Sequence, residues 1–154
     1  MKPGNNKSGN PCDCSHCEVC KLFGVSGAEE NTQGPSRIVF RDARLTEESR
    51  LRLQKLKEER GLIYAEEKYE NSIDRLTGTA KNPRPTERVP AGINFEFEIV
   101  LRVFDGDDEP KMVNTVKEAL RLVRADALGG SGSRGYGKVE FLNCKDEGGT
   151  EFVL

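Results

Sequence analysis

"GGSGSRGYGKVEF", residues 129–141, places five glycines, two serines, an arginine and a tyrosine between an amphipathic stretch and an apolar-alternating run. Glycine admits positive φ and leaves the backbone bare, so this loop can approach a ligand closely. Exposed N–H groups there suit an anion such as a phosphate backbone. Arg134 adds a charged fork for phosphate or carboxylate, and Tyr136 a ring that can stack on a base. The surrounding order decides what kind of loop it is. A helical pattern precedes it and a strand pattern, 138–143, follows it. A dinucleotide-binding loop has the opposite order, after a strand and opening a helix. A Walker loop is excluded because Lys138 lacks the required spacing. A plain flexible connector stays open as the alternative.

Working backwards, Met112, Val116, Ala119, Leu120, Val123 and Ala127 recur at helical spacing across 111–128. "DGDDEP" supplies a turn before that helix, with Asp108 or Glu109 as cap and Pro110 in the first turn. "INFEFEIVLRVF", 93–104, alternates and predicts one half-buried strand, with Phe95, Phe97, Ile99, Leu101 and Val103 on one face. Residues 62–91 hold three prolines in "TGTAKNPRPTERVPAG" and predict an extended loop or long projecting hairpin. Thr46 caps a charged helix running to Arg60, and Gly61 stops it. "RIVFRDARL", 37–45, predicts a short strand. Residues 1–11 and 25–36 read as loop or disorder. The order predicts an α+β fold resembling the latter part of a ferredoxin-like (RRM-like) unit, whose first strand and helix have no counterpart here.

Composition bounds the rest. The chain has 154 residues, 35% hydrophobic and 32% charged, with no tryptophan, which predicts a thin core. Open apolar surface is expected beside Phe95, Phe97 and Val139. The net charge is −2, so any nucleic-acid site must be local. Arg75, Lys81, Arg84 and Arg88 face only Glu87 within 75–88, whereas 140–154 is acidic. No run is apolar enough for a membrane span, and the first residues do not resemble a secretory signal. A cytoplasmic protein with reduced thiols is the expectation.

Cys12, Cys14, Cys17 and Cys20, with His16 among them, offer enough soft ligands for one tetrahedral zinc of structural kind. His16 could replace one cysteine, and free thiols or a disulfide pair remain the alternatives. Cys144 stands apart and is expected at a buried strand end.

Three stretches together resemble one family. They are the glycine loop, "CDCSHCEVCKLFG" (12–24) and "KYENSIDRLTGTAKNPRPTERVPAGINFEFEI" (68–99). They are similar, in order, to the RAMP superfamily of CRISPR RNA-binding proteins, and within it to the repeated backbone subunit of type III-A (Csm) effector complexes. The resemblance implies a single, incomplete RAMP domain over 1–154, with a Cys-rich zinc loop at 12–24, a thumb hairpin at 68–92 that projects from about Asn71 to Pro90, and a glycine-rich loop at 129–137. It implies that copies stack along a guide RNA (crRNA), beside other subunits of the complex, and that the thumb kinks the guide–target RNA duplex. The RNA-contacting residues would be Gly129, Gly130, Gly132, Ser133, Arg134, Gly135, Tyr136, Gly137 and Lys138, with Arg75, Lys81, Arg84 and Arg88 on the thumb. The family also cuts target RNA with an aspartate in a loop that precedes the cysteine cluster. No position here matches that aspartate, and the chain is expected to be an N-terminally truncated copy that holds RNA. An endoribonuclease completed by residues elsewhere, and a zinc-containing protein-interaction domain, are the competing functions.

Overall fold

The computed structural model describes residues 12, 14–25, 34–61 and 64–154. The first eleven residues and most of the 25–36 segment lie outside them. The chain divides into two compact units, one of residues 1–39 and 100–154, the other of residues 40–99. Helices and strands are mixed, as an α+β fold requires. No helix among the described residues is long and apolar enough to cross a membrane.

In the first unit, α1 (Glu18–Phe23) occupies part of the cysteine segment that the sequence reads as loop. β1 (Ile38–Phe40) begins the strand expected over 37–45, which breaks into two short pieces. The second piece, β2 (Arg44–Leu45), belongs to the other unit. The helix before the glycine loop, here α3 (Glu109–Ala125), has the cap the sequence specifies. The Asp108 carboxylate accepts the Lys111 N–H at 3.1 Å, and Pro110 stands where its missing N–H is harmless. Met112 and Val116, one turn apart, are buried, and with Cys20, Leu22 and Ile38 they form most of this unit's small core. The helix ends three residues short of the expected 128. Cys144 is buried, though in no named strand.

A buried ion network docks α1 in this unit. The Asp107 side chain, 4% exposed, accepts from Arg37 Nε at 3.1 Å, Lys21 Nζ at 3.0 Å and the Phe104 N–H at 3.1 Å. The Arg37 guanidinium also lies 4.8 Å from the Phe104 ring centre. Glu18 pairs with Lys111 on α3 at 2.7 Å. The Arg37 N–H reaches the Leu22 carbonyl at 3.1 Å. A six-residue helix cannot hold itself in water, so these contacts hold it.

In the second unit, α2 (Glu47–Arg60) is charged almost all round. Its buried residues are Ser49 and Leu53, four apart, which makes a narrow inward stripe. Thr46 Oγ1 accepts the Ser49 N–H at 3.3 Å, and Gly61 closes the helix at φ 70°. β3 (Glu66–Ile73) and β4 (Ala80–Arg88) form an antiparallel hairpin. It holds two prolines because a two-stranded ribbon is all edge. Pro83 also sits at a register shift between Glu70 and Ser72, next to Asn82 at φ 54°.

The single strand expected over 93–104 is two. β5 (Phe95–Glu96) pairs with β2, Leu45 opposite Phe95, while β6 (Ile99–Leu101) pairs with β1. The two halves serve different partners, so the run breaks at Phe97 and Glu98. Phe95 and Phe97 are each 43% exposed, where the sequence expects open apolar surface. Residues 138–143 form no strand: among the described residues no other strand pairs with them, and an unpaired extended segment is not a ladder. Among the described residues the strands pair two at a time in three small sheets.

Candidate functional site

The four cysteines converge because the chain reverses between them. Ser15, at φ 59°, turns the segment carrying Cys12 and Cys14 back over the start of α1. Cys17 is that helix's N-cap, its sulfur accepting the Cys20 N–H at 3.4 Å, and Cys20 lies one turn on. All four sulfurs lie within 4.8 Å of one another. Cys12 and Cys17 are 3.7 Å apart, Cys14 and Cys20 3.8 Å. A tetrahedral zinc with sulfur ligands at about 2.3 Å would hold them about 3.8 Å apart, so the residues fit the ion. His16 is exposed and turns Nδ1 to the Cys14 carbonyl at 2.5 Å; the four-sulfur group forms without it.

The thiols differ. The His16 backbone N–H brings the Cys14 thiol down to about 6, against the opposing effect of burial. Burial pushes Cys20, 1% exposed, up to about 12.

The glycine segment closes on itself. The Leu128 N–H donates to the Gly137 carbonyl at 2.8 Å. Gly132–Arg134 makes a 3-10 turn, entered through Ser131 at φ 61° and left through Gly135 at φ 81°. Gly137 has φ 74°, and a Cβ there would overlap the Leu128 carbonyl, so only glycine fits. Gly129, Gly130, Gly132, Ser133, Arg134, Gly135 and Lys138 are exposed, and Tyr136 is half-buried.

The hairpin's turn is organised by Asp74. Its carboxylate accepts the Leu76 N–H at 2.9 Å, the Thr77 N–H at 3.3 Å and the Lys81 ammonium. Lys81 holds the Asp74 carboxyl below its usual range, helped by those two N–H groups. Arg88 pairs with Glu66. Arg75 and Arg84 form no ion pair among the described residues. Across 66–88 five acids match five bases, so the positive balance of 75–88 is met by the acids of β3. Leu76 is 97% exposed at the tip. The glycine turn and the hairpin belong to different units.

Sequence reasoning missed Asp107. Its partner Arg37 is 70 residues away, a separation no local pattern reports.

A chain with a four-sulfur loop, a charged hairpin and a closed glycine turn in this order has the parts of one protein class. The family model for the RAMP superfamily matches residues 2–140, and the chain belongs to that superfamily. It is 42% identical over 150 residues to a protein of Methanothermobacter thermautotrophicus named CRISPR system Cms endoribonuclease Csm3, an alignment covering 90% of this chain and 59% of that one. Proteins of the same name from Methanocaldococcus jannaschii and Streptococcus thermophilus are 40% and 38% identical, over 88% and 82% of this chain and 51% and 55% of theirs. The chain spans about half the length of the curated relatives it matches.

Proposed function

We propose that this chain is an RNA-holding part of the backbone subunit of a type III-A CRISPR interference complex, acting in antiviral defence. The observation that carries this is the family match over 2–140, which spans the cysteine loop, the hairpin and the glycine turn together. The exposed turn, with Arg134 at its end and Lys138 just beyond, holds the phosphate backbone of a guide RNA. The hairpin is the thumb, with Arg75 and Arg84 available to phosphates and Leu76 positioned to press on a base step. Lys81 and Arg88 contribute less, because carboxylates already engage them. Binding is independent of sequence, since guide–target pairing reads the sequence. Further copies of the subunit and other members of the complex are its protein partners, in the cytoplasm. The strand pairs belong to a ferredoxin-like sheet that the complete domain assembles. A structural zinc on Cys12, Cys14, Cys17 and Cys20 fastens the turn that precedes α1 to the first turn of that helix.

The relatives carry the name endoribonuclease. Cleavage of target RNA is the family activity proposed for the complete protein, and none of the described residues is assigned a role in it. Arg134→Ala tests the holding role. It should weaken binding of single-stranded RNA by about 1–3 kcal/mol at fixed salt. Unchanged affinity in a fluorescence-anisotropy titration would remove Arg134 from the site.

A further inference from the structure

The hairpin has two unlike faces. Directly opposed residues of an antiparallel pair share a face, and successive residues alternate. One face carries Glu66 with Arg88, Lys68 with Thr86, Glu70 with Arg84 and Ser72 with Lys81, four bases against two acids, with Glu66 paired to Arg88 and Glu70 to Lys68. The other carries Glu67 opposite Glu87, Tyr69 opposite Pro85 and Ile73 opposite Ala80. All six of these side chains are exposed, Tyr69 by 69% and Ile73 by 67%.

We propose that this second face is a docking surface for a protein segment presenting lysine or arginine beside aliphatic or aromatic side chains. Charge complementarity carries the choice. Like charges directly opposite on a sheet repel. Neither Glu67 nor Glu87 has a cationic partner among the described residues; the Tyr69 hydroxyl leaning on Glu67 is neutral. A cation placed between the two carboxylates relieves the repulsion, while Tyr69, Pro85, Ile73 and Ala80 offer the partner an apolar strip to cover. A phosphate backbone on this face would meet two carboxylates. Two copies packed through the same face would bring four together, so a self-matched dimer is disfavoured. The strip lies on the stem of the hairpin, apart from Arg75 and Leu76 at its tip. This inference does not rest on the RNA proposal.

The test uses the full chain and two blocked peptides, acetyl-Lys-Ile-Lys-Ile-Lys-amide and acetyl-Lys-Ser-Lys-Ser-Lys-amide, of equal charge. A carbodiimide joins a lysine to a carboxylate it touches, and mass spectrometry locates the bond. The isoleucine peptide should couple to Glu67 and Glu87 several-fold more than the serine peptide. The double variant Tyr69→Ser/Ile73→Ser, which keeps both acids, should reduce it to the serine peptide's level. Equal coupling by the two peptides, or undiminished coupling in that variant, would overturn the proposal. So would protection of Tyr69 and Ile73 from hydroxyl radicals by an RNA oligonucleotide, which would assign the face to nucleic acid.

Discussion

Cys14 and Cys20 sit in one group of four sulfurs, yet the first thiol is brought down to about 6 by a backbone N–H and the second pushed up to about 12 by burial. A metal takes thiolates, so an incoming zinc finds Cys14 already ionised at neutral pH and must displace a proton from Cys20. Affinity therefore rises with pH. It should fall as pH drops from about 8 to about 6, and more steeply below that, where Cys14 also regains its proton. Competition with a chromophoric chelator measures this, and a pH-independent affinity would argue against thiolate ligation. Gly137 makes a second residue-scale case. Gly137→Ala must hold a left-handed φ and clear the Leu128 carbonyl, so it should lower unfolding stability by at least about 1–2 kcal/mol in a urea titration. The cysteines were legible in the sequence because soft-ligand chemistry does not wait for a fold. The role of Asp107 was not, because it depends on Arg37 and Lys21 arriving from other elements.

At the scale of elements, helices read far better than strands. Thr46, Gly61, Asp108 and Pro110 stand where the sequence puts them, since a cap is a local hydrogen bond. The runs at 37–45, 93–104 and 138–143 carried strand patterns, but a strand also needs a neighbour. The first two divide between neighbours and the third forms none. The proline-rich stretch at 77–92 was readable as a loop or a hairpin, and the register of β3 against β4 decides for the hairpin. Its turn hangs on Asp74. Asp74→Ala removes the acceptor for two N–H groups and the partner of Lys81. Amide exchange at Leu76 and Thr77 should speed up, with weakened cross-strand contacts between Ile73 and Ala80. Unchanged exchange would mean that the strands alone hold the turn.

For the whole molecule the governing fact is charge. A net charge of −2, and a hairpin whose acids and bases balance, give no broad attraction for RNA. On the proposed RNA-holding role, affinity comes from a few phosphate contacts near Arg134, Lys138, Arg75 and Arg84. The chain spans about half of its curated relatives, so a modest affinity alone and a larger one within the complex are expected. The salt dependence of binding tests this most directly. Affinity of the chain for a single-stranded RNA should fall linearly in log–log form as salt rises, with a slope near −0.7 per phosphate contact. Arg134→Ala should reduce that slope by about one contact. Binding that ignores salt, or a slope that Arg134→Ala leaves unchanged, would contradict the assignment of this chain as a holder of the RNA backbone.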